Sequence, residues 1–371
     1  MELLEFKNKV LKLCNVKETK DIGNVLMETA LNHNEDLYNK YLKIVDDTKD
    51  WLQALWQYYE ADRTDKKQDY TPKSLCNLVS ALAGNCNCFY DCCGGSGALS
   101  IDMLKKHEQI QNVYVEELDE NVIPFLLFNL CLHNASGFVI NGNVLTKEKI
   151  KAYKLLRGQK YSVVIEVEDL NTLKDIEIIS LDVSISNPPY NIKWQPPTPL
   201  EMDSRFPVIP PASNANYAFV LHCLHRATNK AILILPNGIA SQRTESEVRK
   251  YLIDNDLIET VISLPNNMFE CTNIATCIMV LNKNKNSKGK VTLIHSVENC
   301  VTEEREQNGQ FGGKSHTNRT YKKKYNVLSD ENIQKILDVI ENQQEIKQFS
   351  VIKTNEQIAE KKVYVSTEYV F

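Results

Sequence analysis

The chain has 371 residues, a formal net charge of −5 and hydrophobic and charged fractions of 43% and 25%, which excludes collagen-like, low-complexity and disordered classes. Single cores stop growing near ~250–300 residues, so one large domain with smaller pieces is expected. The acidic balance excludes an autonomous, strongly basic DNA binder but leaves room for a local positive surface.

The opening MELLEFKNKV alternates charged and apolar residues, and no later stretch approaches the ~18 uninterrupted apolar residues of a membrane helix. Eleven cysteines without a secretory signal point to reduced thiols. A cytoplasmic protein with no membrane partner is expected. Cys86, Cys88, Cys92 and Cys93 show C-x-C and C-C spacing, with no C-x2-C pair facing a second pair and no histidine close by. No metal is expected there.

Along the chain, apolar residues first recur at helical spacing, as in Val25, Leu26, Ala30 and Leu31, then Leu37, Tyr41, Leu42 and Val45. Trp51, Leu52, Leu55, Trp56 and Tyr59 continue as an aromatic stripe, and the charged run 60–69 reads as a linker. Beyond it, short apolar runs alternate with helical patterns, which predicts a parallel sheet with helices on both faces. The seven expected strands are Cys88–Tyr90, Asn112–Glu116, Phe138–Ile140, Val183–Ser186, Ala231–Leu235, Leu257–Leu264 and Thr276–Leu281. Helices are expected at Leu75–Leu82, Ala98–Lys106, Val122–Leu132, Ala215–Arg226 and Glu245–Asp254. Tyr161–Ile179 reads as an added hairpin, Lys314–Lys324 as a basic loop, Asp330–Ile340 as a last helix and Val363–Phe371 as an extended end.

Three segments carry chemistry. Asn187-Pro188-Pro189-Tyr190 follows an apolar strand. Consecutive prolines fix φ and remove two backbone donors, so the Asn187 side-chain oxygen and the Pro188 carbonyl remain acceptors aimed at a ligand. Two such acceptors suit an exocyclic amine conjugated to a ring or carbonyl, and Tyr190 offers a face for stacking a base. The competing reading is an X-Pro-Pro turn that only ends a strand.

Asp91-Cys92-Cys93-Gly94-Gly95-Ser96-Gly97 lies between a strand and a helix, where free N–H groups open onto the sheet's mouth. The lysine of a P-loop and the G-x-G-x-x-G spacing are both missing. Asp91 would repel a pyrophosphate and attract an ammonium. Glu117 ends the next strand, where a carboxylate reaches ribose hydroxyls, although a solvated or capping acid is the alternative. Glycine turn, acid and acceptor loop in succession fit S-adenosylmethionine best. The proline-cysteine nucleophile of cytosine-C5 chemistry is absent from all twelve prolines.

These residues resemble the amino-group DNA methyltransferases, and among them the methylation (M) subunits of type I restriction-modification systems. The likeness covers most of the chain: Tyr70-Thr71-Pro72, the glycine turn, Glu117-Leu118-Asp119, Asn214-Ala215-Asn216-Tyr217-Ala218-Phe219, Leu235-Pro236-Asn237-Gly238 and Leu264-Pro265-Asn266-Asn267-Met268-Phe269. It implies a Rossmann-like S-adenosylmethionine-dependent methyltransferase fold, a mostly parallel seven-stranded sheet. The expected divisions are an N-terminal helical segment at 1–69, the catalytic domain at 70–300, and a basic loop, helix and tail at 301–371.

The implied activity is methyl transfer to N6 of a flipped adenine in duplex DNA. Asn187, Pro188, Pro189 and Tyr190 would be catalytic; Tyr70, Thr71, Pro72, Asp91, Gly95, Ser96, Gly97, Glu117 and Asn143 would bind cofactor; Phe269 is a second stacking candidate. Here Asn143 stands where the family carries an acid near the cofactor's adenine, so weaker or altered cofactor binding is expected. About ninety residues follow the last expected sheet strand, which points to a separate specificity subunit, with a restriction subunit as a further partner. Lys314, Arg319, Lys322, Lys323 and Lys324, with His316 and Tyr321, suit phosphates or a solvated loop. Two alternatives remain open: a protein-glutamine or RNA-guanine amino-methyltransferase, and a non-catalytic subunit that holds DNA or a partner.

Overall fold

The computed structural model describes residues 1–46, 50–60, 70–173, 181–196, 203–270, 274–308 and 320–370. Its centre is an eleven-stranded sheet. The strands are β1 (Cys88–Asp91), β2 (Asn112–Glu117), β3 (Gly137–Asn143), β4 (Glu148–Leu156), β5 (Val163–Glu166), β6 (Leu181–Ser186), β7 (Ala227–Pro236), β8 (Ile258–Ser263), β9 (Thr276–Asn282), β10 (Lys290–His295) and β13 (Ser350–Thr354). They run in the order β13-β10-β8-β9-β7-β6-β1-β2-β3-β4-β5.

All seven expected strands form the contiguous middle, β8 to β3, with β7, β6, β1, β2 and β3 parallel and β9 antiparallel to both its neighbours. Each central strand is apolar on both faces because each face is covered. Phe89 enters one core and Tyr90 the other.

On one face lie α5 (Lys73–Ala83), α6 (Ala98–Lys106) and α7 (Ile123–Leu132); on the other lie α8 (Asn216–Arg226) and α9 (Ser246–Asp254). The helix α7 is apolar around its whole circumference, which a surface helix is not. The N-terminal helices explain this. α1 (Leu3–Cys14), α2 (Ile22–Leu31), α3 (Glu35–Leu42) and α4 (Trp51–Tyr59) form an outer layer that covers the side of α7 facing away from the sheet. Tyr38 and Tyr41 meet Phe128 at ring-centroid distances of 4.7 and 5.2 Å, and Trp56 meets Phe125 at 5.0 Å.

The edges differ from expectation. The added hairpin is β4 and β5, so it begins earlier than Tyr161, and 174–180 lies outside the described residues. Lys149, Lys151 and Lys154 obscure the strand period of β4; such charges are usual near a sheet's edge. Residues beyond 300 complete the sheet, since β13 pairs antiparallel with β10.

Part of the basic loop is a strand, because Val301–Asn308 (β11) and Thr320–Val327 (β12) pair antiparallel and set acidic against basic residues. Lys322 reaches Glu304 at 3.3 Å, and Lys323 donates to the Glu270 carbonyl at 2.7 Å. Lys314, His316 and Arg319 lie outside the described residues. The helix expected to be the last, α10 (Asp330–Asn342), opens with a Ser329–Asn332 capping box, but one more follows it. After α11 (Asn355–Glu360) the end is not extended: Thr367–Val370 is a 3-10 turn, docked through Thr367 on Ser263 at 2.7 Å.

Phe128 is fully buried between the helix layers. Phe128→Ala is expected to cost about 3–5 kcal/mol in equilibrium denaturation.

Candidate functional site

At the carboxyl ends of the central strands lies a cavity of about 520 Å³, the size of a small-molecule site. It sits where strand order reverses: β1 leads outward to β2 and β3, and the chain returns on β1's other side as β6. Tyr70, Thr71, Asp91, Gly95, Glu117, Asn143 and all of Asn187–Tyr190 line it.

The glycine turn approaches β2 closely. The Gly94 amide donates to the Glu116 carbonyl at 2.9 Å, and a β-carbon on Gly94 would stand 2.2 Å from a Val115 methyl. Gly95 has φ +53°, and a β-carbon there would press on the Tyr70 ring at 3.0 Å. Ser96 and Gly97 shape the turn without lining the cavity: Ser96 is fully buried and its carbonyl accepts from Asn129 at 2.9 Å, while Gly97 caps α6.

The Glu117 carboxylate accepts from the amides of Gly95 and Asp119, both at 2.8 Å. Two bonded oxygens retain lone pairs for further donors. Asp91 is fully buried and accepts from the Cys93 amide at 3.3 Å and the Ser100 hydroxyl at 3.1 Å. Burial raises its pKa to about 8, with the Cys92 thiol beside it acting in the same direction. Burial also raises Glu117.

On the opposite wall, the Asn187 amide nitrogen donates to Thr71 Oγ1 at 3.1 Å and its Oδ1 accepts from the Tyr190 hydroxyl at 2.7 Å. Beyond Tyr190 the chain turns at Asn191, φ 55°, whose amide donates to Asn216 Oδ1 at 3.0 Å while Asn216 Nδ2 returns a bond of the same length. This is the structural use of the Asn214-Ala215-Asn216 element. Phe269 meets the Tyr190 ring edge-on at 6.4 Å, is 3% exposed and does not line the cavity. Pro72 caps α5 and lies outside the cavity wall too.

Asn143 Oδ1 accepts from the Leu145 amide at 3.0 Å. The turn after β3 thus uses the oxygen internally. Trp194, which the sequence reading passed over, also lines the cavity, as does Phe219, the last residue of the element that begins at Asn214. Arg205 was passed over too; it is 6% exposed, does not line the cavity, and donates to the carbonyls of the lining residues Val144 and, at 3.0 Å, Leu145. The only signal for it was a lone arginine in Asp203-Ser204-Arg205-Phe206.

The parallel sheet, the glycine turn at its switch point and the proline-flanked acceptor loop define a class I methyltransferase fold. A family model for N-6 DNA methylases matches residues 46–370, and the chain belongs to that family. The methylase subunit of the type I restriction enzyme MpnII of Mycoplasma pneumoniae is 28% identical over 310 residues, 78% of this chain and 50% of that protein. That of HindI from Haemophilus influenzae is also 28% identical, covering 66% of this chain and 54% of that one. The chain therefore spans about half the length of these relatives. Among solved structures, a type I restriction-modification methyltransferase subunit from Streptococcus thermophilus superposes with a TM-score of 0.66 at 22% identity, covering 94% of this chain and 66% of that one. A class I S-adenosylmethionine-dependent methyltransferase from Listeria monocytogenes gives 0.54 at 14% identity, covering 92% and 98%. No helix among the described residues is long and apolar enough to cross a membrane.

The raised Asp91 has a thermodynamic consequence. Its folded pKa, about 8, exceeds that of an unfolded aspartate, about 3.9, so the stability that the protonated form contributes is fully present below about pH 4. It is lost progressively as pH rises to about 8, by at most about 1.4 kcal/mol per pH unit. In cofactor-free protein, Asp91→Asn is expected to flatten this decline in melting temperature between pH 5 and 8; parallel profiles would contradict the assignment.

Proposed function

We propose that the chain transfers a methyl group from S-adenosylmethionine to the N6 amine of adenine in DNA, as the modification subunit of a type I-like restriction-modification system. One observation carries the reading. The acceptor pair of Asn187 and Pro188 shares a single cavity with the glycine turn, Asp91 and Glu117.

The residues suit the cofactor. The cavity is roomy enough, the turn admits close backbone approach, Glu117 suits ribose hydroxyls and Asp91 suits a cationic amine. When bound, the cofactor supplies a methyl group on a sulfonium, already a good leaving group. The protein's part is alignment and charge stabilisation. Asn187 Oδ1, now held by the Tyr190 hydroxyl, would accept one N–H of the target amine, and the Pro188 carbonyl the other. Both oxygens would stabilise the positive charge that the nitrogen gains on accepting the methyl group, and the nitrogen would then release one proton to solvent. Tyr190 would stack on the extruded base, with Phe269 supporting its ring from the side.

Duplex DNA, a specificity subunit and a restriction subunit are the proposed partners, supported by the type I assemblies to which the similar methylase subunits belong. The family match favours DNA over protein glutamine or RNA guanine as substrate.

Tritium-labelled methyl incorporation into adenine-containing duplexes tests the reaction. Asn187→Ala is expected to abolish transfer with cofactor affinity nearly unchanged, and equal activity in the variant would overturn the assignment. Asn143 Oδ1 already accepts from the Leu145 amide, whereas a carboxylate at this position would hold the turn with one oxygen and offer the other, charged, to a donor. Asn143→Asp keeps the turn and adds a second acceptor, so calorimetry should show about tenfold tighter cofactor binding.

A further inference from the structure

We infer that Thr71 is a positioning residue for the acceptor Asn187, acting on the carboxamide's orientation rather than on the cofactor. The inference rests on the adenine-methyltransferase reading of the site. A carboxamide has two ends of nearly equal size, one accepting and one donating. With its oxygen toward the target, Asn187 grips the amine; turned over, it presents N–H to N–H and repels it. The site therefore needs a group that fixes the rotation.

Thr71 Oγ1 lies 3.1 Å from Asn187 Nδ2 and accepts from it, which leaves Oδ1 on the side of Tyr190. Thr71 is itself held. It is 6% exposed, and the proline that follows confines it to the extended backbone region. Its carbonyl accepts from Gln53 Nε2 of α4 at 3.1 Å and from the Cys76 thiol of α5 at 3.7 Å. A chain of contacts thus runs from the N-terminal helices through Gln53 and Thr71 to the Asn187 amide and the Tyr190 hydroxyl. The outer helical layer thereby sets the geometry of the acceptor loop across the cavity.

The test compares Thr71→Val, which keeps the shape and removes the accepting oxygen, with Thr71→Ser, which retains it. Both are assayed in the full chain, assembled with its specificity subunit, on a duplex whose target adenine faces an abasic position, so that base extrusion is already favoured. Thr71→Val is expected to lower kcat about ten- to a hundredfold, the effect of one lost orienting hydrogen bond. Its S-adenosylmethionine Kd, measured by calorimetry, and its melting temperature stay near wild type, and Thr71→Ser restores most of kcat. A loss that falls on cofactor affinity instead of kcat overturns the inference, because Thr71 then contacts the cofactor. So does a serine variant as impaired as the valine one. Wild-type protein that transfers no methyl group even when assembled with its specificity subunit sinks the adenine reading and this inference with it; an active wild type matched by Thr71→Val sinks the inference alone.

Discussion

The site depends on one pairing, that of β1 with β6. These strands run parallel in a register that sets Asp91 beside Ile185, so the chain segments that follow them leave the sheet side by side at its carboxyl edge. The contact is direct: the Cys92 thiol lies 3.2 Å from the Ser186 hydroxyl, 94 positions along the chain. One segment becomes the glycine turn and the other the acceptor loop. Neither has a function alone, because a glycine turn without an opposing wall leaves a ligand in water, and a diproline loop without a ligand beside it is only a strand end. Burial of apolar residues on both faces of β1 and β6, in two separate cores, is what holds this register against a slip that would move every side chain to the wrong face.

Much of this was legible in the residues. Buried central strands are unbroken apolar runs, and helices over them keep a 3.6-residue period, so all seven expected strands and the five helices between residues 70 and 255 occur within a few positions of where the pattern puts them. The three site segments announced themselves because glycine, consecutive prolines and a strand-ending acid are each unusual for a stated physical reason. Strands near an edge lacked that clarity. β4 is built from Glu148-Lys149-Ile150-Lys151 onward, a sequence chosen as much for solubility of an edge as for pairing. β11 and β12 set Glu304 against Lys324 but also Arg305 against Lys323, and among their described side chains only Tyr325 is buried, so their composition resembles that of a loop. Pro72, Ser96, Gly97 and Phe269 are close to the site in sequence or in space yet stand behind its wall, a distinction of side-chain direction that spacing does not encode.

Least legible was the polar chain beneath the cavity. Arg205 Nη1 donates to His222 Nδ1 at 3.1 Å, His222 Nε2 lies 2.7 Å from the Tyr90 hydroxyl, and that hydroxyl donates to Glu116 Oε1 at 2.7 Å. Burial, and next the Arg205 charge, push the His222 pKa well below its ordinary value. A neutral ring that accepts at Nδ1 must carry its proton on Nε2, so all three bonds run in one direction from arginine to carboxylate. Such a network is rigid when every member is satisfied. It ties the turn after β3, through Val144 and Leu145, to the end of β2 from which Glu117 projects. Its members lie on three elements and in a loop, and each taken singly looks like an isolated polar residue in an apolar stretch.

The electrostatics at the strand ends also discriminate among ligands. Asp91, Glu116 and Glu117 all have carboxyl groups raised by burial before any other cause, so the empty site holds negative charge at an energetic disadvantage. A pyrophosphate would increase that disadvantage, whereas a ligand with an ammonium and a sulfonium would relieve it by favouring the ionised carboxylates. Dinucleotide sites on related sheets place helix N–H groups toward phosphate at this same position. Here the Gly94 and Gly95 amides are spent on the Glu116 carbonyl and the Glu117 carboxylate. Two of the turn's donors are thus directed to the protein, and the Asp91 and Glu117 carboxyl groups that share the cavity with it complement a cation rather than an anion.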